Sequence, residues 1–130
     1  MRGAMVVRGS AAGFDETGKR LLDAIERRGL TVFAQIDHAA GAREAGLDLE
    51  DEVVTIFGNP RSGTPLMQAD RRIGLELPLR MLVWREGADV HVGYTDPHDL
   101  ARDYDVTGHD ATLEQMSGLL AELAAEAAGS

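Results

Sequence analysis

Cysteine is missing from this sequence, and with it go disulfides, thiolate metal sites, cysteine nucleophiles and redox-active thiols. No apolar run approaches the length that crosses a bilayer, and the apolar part of the opening MRGAMVVRGSAAGFDE is too short for a signal peptide. The expectation is a cytoplasmic protein with no membrane partner. Positive charge is also scarce: 13 basic against 22 acidic residues leave a net charge of −9, and Lys19 is the only lysine. A chain so charged is repelled by phosphate backbones, so nucleic acid is not an expected partner. The dense basic points, Arg27-Arg28 and Arg71-Arg72, read as solvated helix ends.

What is present suits one packed core. The chain has 130 residues and 14.0 kDa, 44% hydrophobic and 27% charged, which predicts a single domain over residues 1–130. MVVRGS (5–10) reads as a strand. Residues 15–28 follow as a helix, with Leu21, Leu22 and Ile25 on one face and Gly29 as its stop. TVFAQID (31–37) alternates as a second strand, a short helix follows, and EVVTIFG (52–58) is a third. Residues 80–85 and 89–94 form a hairpin about Gly87, and Leu113, Met116, Leu120 and Leu123 mark a final helix packed by its Leu/Met stripe. The order predicts an α+β fold, a mostly antiparallel sheet packed against helices.

The stretch IFGNPRSGTPLMQ (56–68) has the glycine spacing of a phosphate-binding loop at Gly58 and Gly63, but Thr64 stands where that loop needs lysine and Pro65 where it needs a hydroxyl. A nucleotide site is therefore excluded on chemistry. The residues suit a strand-to-helix corner instead: Asn59-Pro60 as a turn, Thr64 as the helix cap and Pro65 in the first helical position. Asp96-Pro97 repeats the device after the last strand. With antiparallel strands the two helix starts point to one end of the sheet, where a small anionic ligand could be held by Asn59, Arg61 and Thr64 with Met67 and the region of Tyr94 beside them.

Catalytic signatures are thin. His38, His91, His98 and His109 have neither the spacing nor the context of a zinc site, so no metal and no cofactor is expected. No serine sits in a nucleophile elbow with an evident base. His38 follows Asp37, which reads as a helix cap, and His98 lies close to Asp99 and Asp103.

Three stretches together carry a wider pattern: FDETGKRLLDAIERRGLTVFAQIDHAAGAREAGL, IFGNPRSGTPLMQADRRIGLELPLRMLVW and VGYTDPHDLARDYDV. They resemble the domain of unknown function family 302, small bacterial and archaeal proteins, with GNP-x-x-GTPLMQ as the most specific part. The family motif matches His38, Asn59, Pro60, Gly63, Thr64, Pro65, Leu66, Met67 and Gln68. The resemblance implies a TATA-binding-protein-like β-α-β(4)-α outline with short inserted helices and a homodimer. It implies neither DNA binding nor an activity, and it has no catalytic residues to carry over.

Three functions remain in view. The favoured one is a small dimeric binding or regulatory domain with its site at Asn59 to Met67, Tyr94 and His38. The alternatives are an enzyme on a small anionic substrate with His38 or His98 as acid or base, and a protein interaction module that uses the same motif as an interface.

Overall fold

A computed structural model describes residues 5–129, so the opening four residues, part of the segment read above for a signal, lie outside it. Alternating apolar stretches and glycine-marked turns give five strands: β1 (Met5–Ser10), β2 (Thr31–Asp37), β3 (Glu52–Gly58), β4 (Leu79–Glu86) and β5 (Asp89–Thr95). The helices are α1 (Phe14–Arg27), α2 (His38–Glu44), α3 (Pro60–Ala69), α4 (Pro97–Leu100) and α5 (Asp110–Ala128), with a 3-10 turn over Arg71–Leu75. Gly29 ends the α1 segment at φ +70°, and Gly87 turns the β4–β5 hairpin at φ +62°, both in the left-handed region that favours glycine. The expected β-α-β(4)-α outline with inserted short helices is the observed order.

The sheet runs β1-β5-β4-β3-β2, and every neighbouring pair is antiparallel. Because side chains alternate across a sheet, the register divides the strands into two faces. Phe57 pairs with Leu79, Thr55 with Met81 and Val53 with Val83 on the inner face. There α1 and α5 close the core, with Leu21, Ile25, Leu120 and Leu123 at 1% exposure or less beside Phe57, Met81 and Val92. The two helices are also clamped by Arg28, which bonds Glu126 and lies 3.4 Å from Glu122. That ion pairing raises the guanidinium pKa and lowers that of Glu126.

Two expectations about the third helix are corrected. Its cap is Asn59, whose side chain accepts from the Arg61 amide at 2.9 Å, with Pro60 in the first helical position; Thr64 and Pro65 lie inside the helix. Asn-Pro and Thr-Pro carry the same start signal, and the one nearer the strand end wins because asparagine caps as well as threonine or better. The sequence TPLMQADRRIG reads as one helix ending near Gly74, but the helix stops at Ala69. Asp70 leaves it with extended backbone and caps the 3-10 turn through the Arg72 amide at 3.0 Å, so residues 60–75 are two short pieces.

Candidate functional site

Where β3 stops and β4 begins, the motif helix α3 leans over the end of the sheet and leaves a cavity of about 350 Å3. Its floor is Leu79 and Met116, 5% and 6% exposed. Its walls are Met67 and Gly63 from α3, Leu77 and Pro78 from the segment before β4, and Leu119 from α5. Phe33 completes it, and its position comes from an irregularity: the β2–β3 register shifts between Val32 and Ala34, so Phe33 is the extra residue of a bulge. Asn59, Ser62 and Thr64 supply the polar side chains of the lining, and among the described residues no titratable side chain touches it. Gly63 leaves room there, since a Cβ at that position would stand 3.7 Å from Leu77 Cδ1 and 3.9 Å from Met67 Cε.

The two helix starts do reach the same end of the sheet, because β3 and β5 are both antiparallel to β4. Their amides are already taken. At α3, Pro60 has no N–H, Arg61 donates to the Asn59 side chain, and Ser62 and Gly63 donate to the Asn59 carbonyl at 2.9 and 3.2 Å. At α4, the Asp96 carboxylate accepts from the His98 amide at 2.9 Å and from the Ser117 hydroxyl at 3.1 Å, placing a negative charge where an anion would sit.

Of the residues singled out in the sequence, Asn59, Thr64 and Met67 meet at the cavity. Arg61 is exposed on the outside of the same helix start and is not part of the lining. Tyr94 points into the core at 7% exposure, where burial above all, and then the charge of Asp96, raises its pKa. His38 is exposed at the start of α2, after Asp37, whose carboxylate caps that helix by accepting from the Ala40 amide at 2.8 Å. His38 and Tyr94 share a second groove, along the opposite face of the sheet. His98 lies 3.0 Å from Glu114 on the surface and belongs to neither. Among the described residues no group of three histidines or carboxylates is placed to hold a metal ion.

Phe33, Leu77, Pro78, Met116 and Leu119 were missed as lining residues, because they come from three separate parts of the chain: β2, the segment before β4, and α5. The 3-10 turn that leads to Leu77 is itself fastened. Asp70 accepts from the Arg72 guanidinium at 2.8 Å and from the Asp105 amide at 2.9 Å. Tyr104 donates to Glu76 at 2.8 Å, with Arg72 over its ring at 5.7 Å. These bonds hold the Asp70 carboxyl well below the usual carboxylate range, the Arg72 side chain first and the Asp105 amide second.

The fold and site define a small α+β domain with an all-antiparallel five-stranded sheet and an apolar cavity at the sheet's end. The sequence profile of the family described as Domain of unknown function DUF302 matches residues 6–123, and the chain belongs to that family. A solved structure, an uncharacterized conserved DUF302 protein from Bacillus stearothermophilus, shares the fold with a TM-score of 0.86 at 20% identity, over 95% of this chain and 97% of that one. Two curated relatives are called fluoride-specific ion channel FluC 1, one from Brucella suis biovar 1 (strain 1330) and one from Brucella abortus biovar 1 (strain 9-941). Each is 42% identical over 103 residues, 78% of this chain but 41% and 38% of theirs. The chain thus spans about two-fifths of the length of these relatives. No helix among its described residues is long and apolar enough to cross a membrane.

Proposed function

We propose that the chain is a binding module for a small, largely apolar molecule seated in the cavity beneath α3, its polar end toward Asn59, Ser62 and Thr64. The observation that carries this reading is the cavity itself, about 350 Å3 with walls from β2, β3, α3, β4 and α5. That volume is in the range of small-molecule sites, which combine an apolar lining with a few placed polar groups. The motif GNPRSGTPLM then has one job throughout: it ends a strand, caps a helix and leaves glycine where a ligand approaches.

Binding is favoured over catalysis because the lining offers no acid or base. A wholly anionic ligand is disfavoured because both helix starts spend their amides on their own caps. The Brucella relatives add a second layer. Their name describes a channel, this chain covers only part of their length, and it has no membrane-spanning helix among the described residues. We infer that the shared part is an accessory domain rather than a pore. Fluoride itself is not the expected ligand, since the cavity offers it few donors.

Titration with 1-anilinonaphthalene-8-sulfonate, an apolar ring system with one charged end, tests the proposal against a Gly63→Phe variant that fills the cavity. Saturable fluorescence in the parent, weakened at least about tenfold in the variant while its circular dichroism is unchanged, is the expected result. Equal binding by both would remove the cavity as the site.

A further inference from the structure

The cavity beneath α3 is apolar at its floor and polar on one side of its mouth. Leu79 and Met116 at the floor are buried, whereas Asn59 and Thr64 are exposed at the rim on the α3 side, facing solvent with Phe33 and Pro78. A molecule seated there keeps its polar end at the mouth.

The polar groups at that rim have bonds to give. Asn59 accepts from the Arg61 amide through Oδ1 at 2.9 Å, which leaves its Nδ2 donors unspent. That amide nitrogen and the hydroxyls of Ser62 and Thr64 have no hydrogen-bond partner among the described residues. All three are able to donate.

The surrounding charge selects the sign of the polar end. The lining is drawn from residues 30–33, 58–67, 77–79 and 116–119. These segments hold no aspartate or glutamate, in a chain with 22 acidic residues among 130, and Arg61 is their one charged residue. Two bordering carboxylates are engaged elsewhere: Glu76 accepts from Tyr104 at 2.8 Å, and Glu122, one turn beyond Leu119, lies 3.4 Å from Arg28. A neutral ligand tolerates a nearby carboxylate and a cationic one gains from it, so a rim cleared of acid suits a negative end.

Arg61 sits between Pro60 and Ser62 of the lining, is exposed, and has no ion-pair partner among the described residues. Its long side chain is free to turn over the mouth. One guanidinium balances one negative charge, and the α3 amides are spent on the cap, so a dianionic phosphate would be left half-compensated. The planar guanidinium fork matches a carboxylate.

We propose that the ligand is a monocarboxylic acid with an apolar body, bound as its carboxylate, which rests on the cavity being the binding site. The body lies on Leu79 and Met116, and the carboxylate meets Asn59 Nδ2, the Ser62 and Thr64 hydroxyls and the Arg61 guanidinium.

Isothermal titration calorimetry with two matched pairs tests it: 2-naphthoate against 2-naphthamide, and octanoate against octanamide. In the parent at neutral pH, the carboxylate of at least one pair should bind at least about tenfold tighter than its amide, and the pair that does so tells a ring from a linear body. Arg61→Met keeps an unbranched side chain without the charge. It should bring that carboxylate down to its amide and leave the amide unchanged, whereas Gly63→Phe should weaken both. Amides as tight as carboxylates in the parent, or a preference that survives Arg61→Met, would overturn the proposal. The cavity would still stand as the site if Gly63→Phe weakened the amides. Binding of none of the four probes would also overturn the proposal, and the 1-anilinonaphthalene-8-sulfonate titration would then judge the cavity alone.

Discussion

Leu79 and Leu82 stand three residues apart on β4, one on each side of the sheet. Leu79 is 5% exposed, at the floor of the cavity, whereas Leu82 is half-buried on the open face. The stretch LRMLVWRE is apolar on both sides, Leu79, Met81 and Val83 turning inward and Leu82 and Trp84 outward. An antiparallel sheet covered on one side commonly alternates apolar with polar residues, and β4 departs from that pattern. The difference between the faces separates what holds the fold from what the fold offers. Inner residues make the core, and outer residues are available to a partner.

The sharpest way to break the comparison is to truncate one residue on each side. Phe57→Ala should destabilise by about 3–5 kcal/mol, the range for a large buried side chain, and Leu82→Ala by much less. Urea unfolding of both variants settles it, and equal losses would mean that the outer face is part of the core. A smaller effect tests the helix start that frames the cavity. Asn59→Ala should lose about 1 kcal/mol with its cap, and Thr64→Ala about half a kcal/mol or less. The reverse order would restore Thr64 as the cap.

The smallest effect is one of pH and concerns the fastening beyond α3. A carboxylate whose pKa is lowered by folding stabilises above its unfolded value and loses that contribution as pH falls through the folded value. For Asp70 the ordinary value is 3.8. Asp70→Asn should therefore be less stable than the parent at neutral pH, with the gap narrowing once the pH drops below that ordinary value. A gap that widened toward acid would show that the Arg72 and Asp105 bonds do not act on the charged form.

Much of this fold is legible in the sequence because its signals are local. Three strands have the bounds that alternation predicts, Gly29 and Gly87 mark the turns, and Leu113, Met116, Leu120 and Leu123 face the core from α5. The site is half legible. Asn59, Thr64 and Met67 lie in one motif and come to one cavity. Phe33 reaches it only through a bulge, Leu77 and Pro78 through the segment that leads into β4, and Leu119 from α5. No spacing records contacts between residues so far apart in the chain. The α4 start at Asp96-Pro97 was legible as well, but the α3 start falls at Asn59 and not at Thr64, and no local signal showed that the caps leave no amide for an anion.

The methionines place a reporter in each region. Met67 and Met116 line the cavity, Met81 lies in the core at 1% exposure, and Met5 sits on the outer face at 47%. Methyl NMR of the methionines during titration with 1-anilinonaphthalene-8-sulfonate therefore locates binding directly. The account predicts that the Met67 and Met116 signals move together to saturation while Met5 stays in place. Movement of Met5 with Met67 and Met116 unmoved would put the ligand on the sheet face and contradict it.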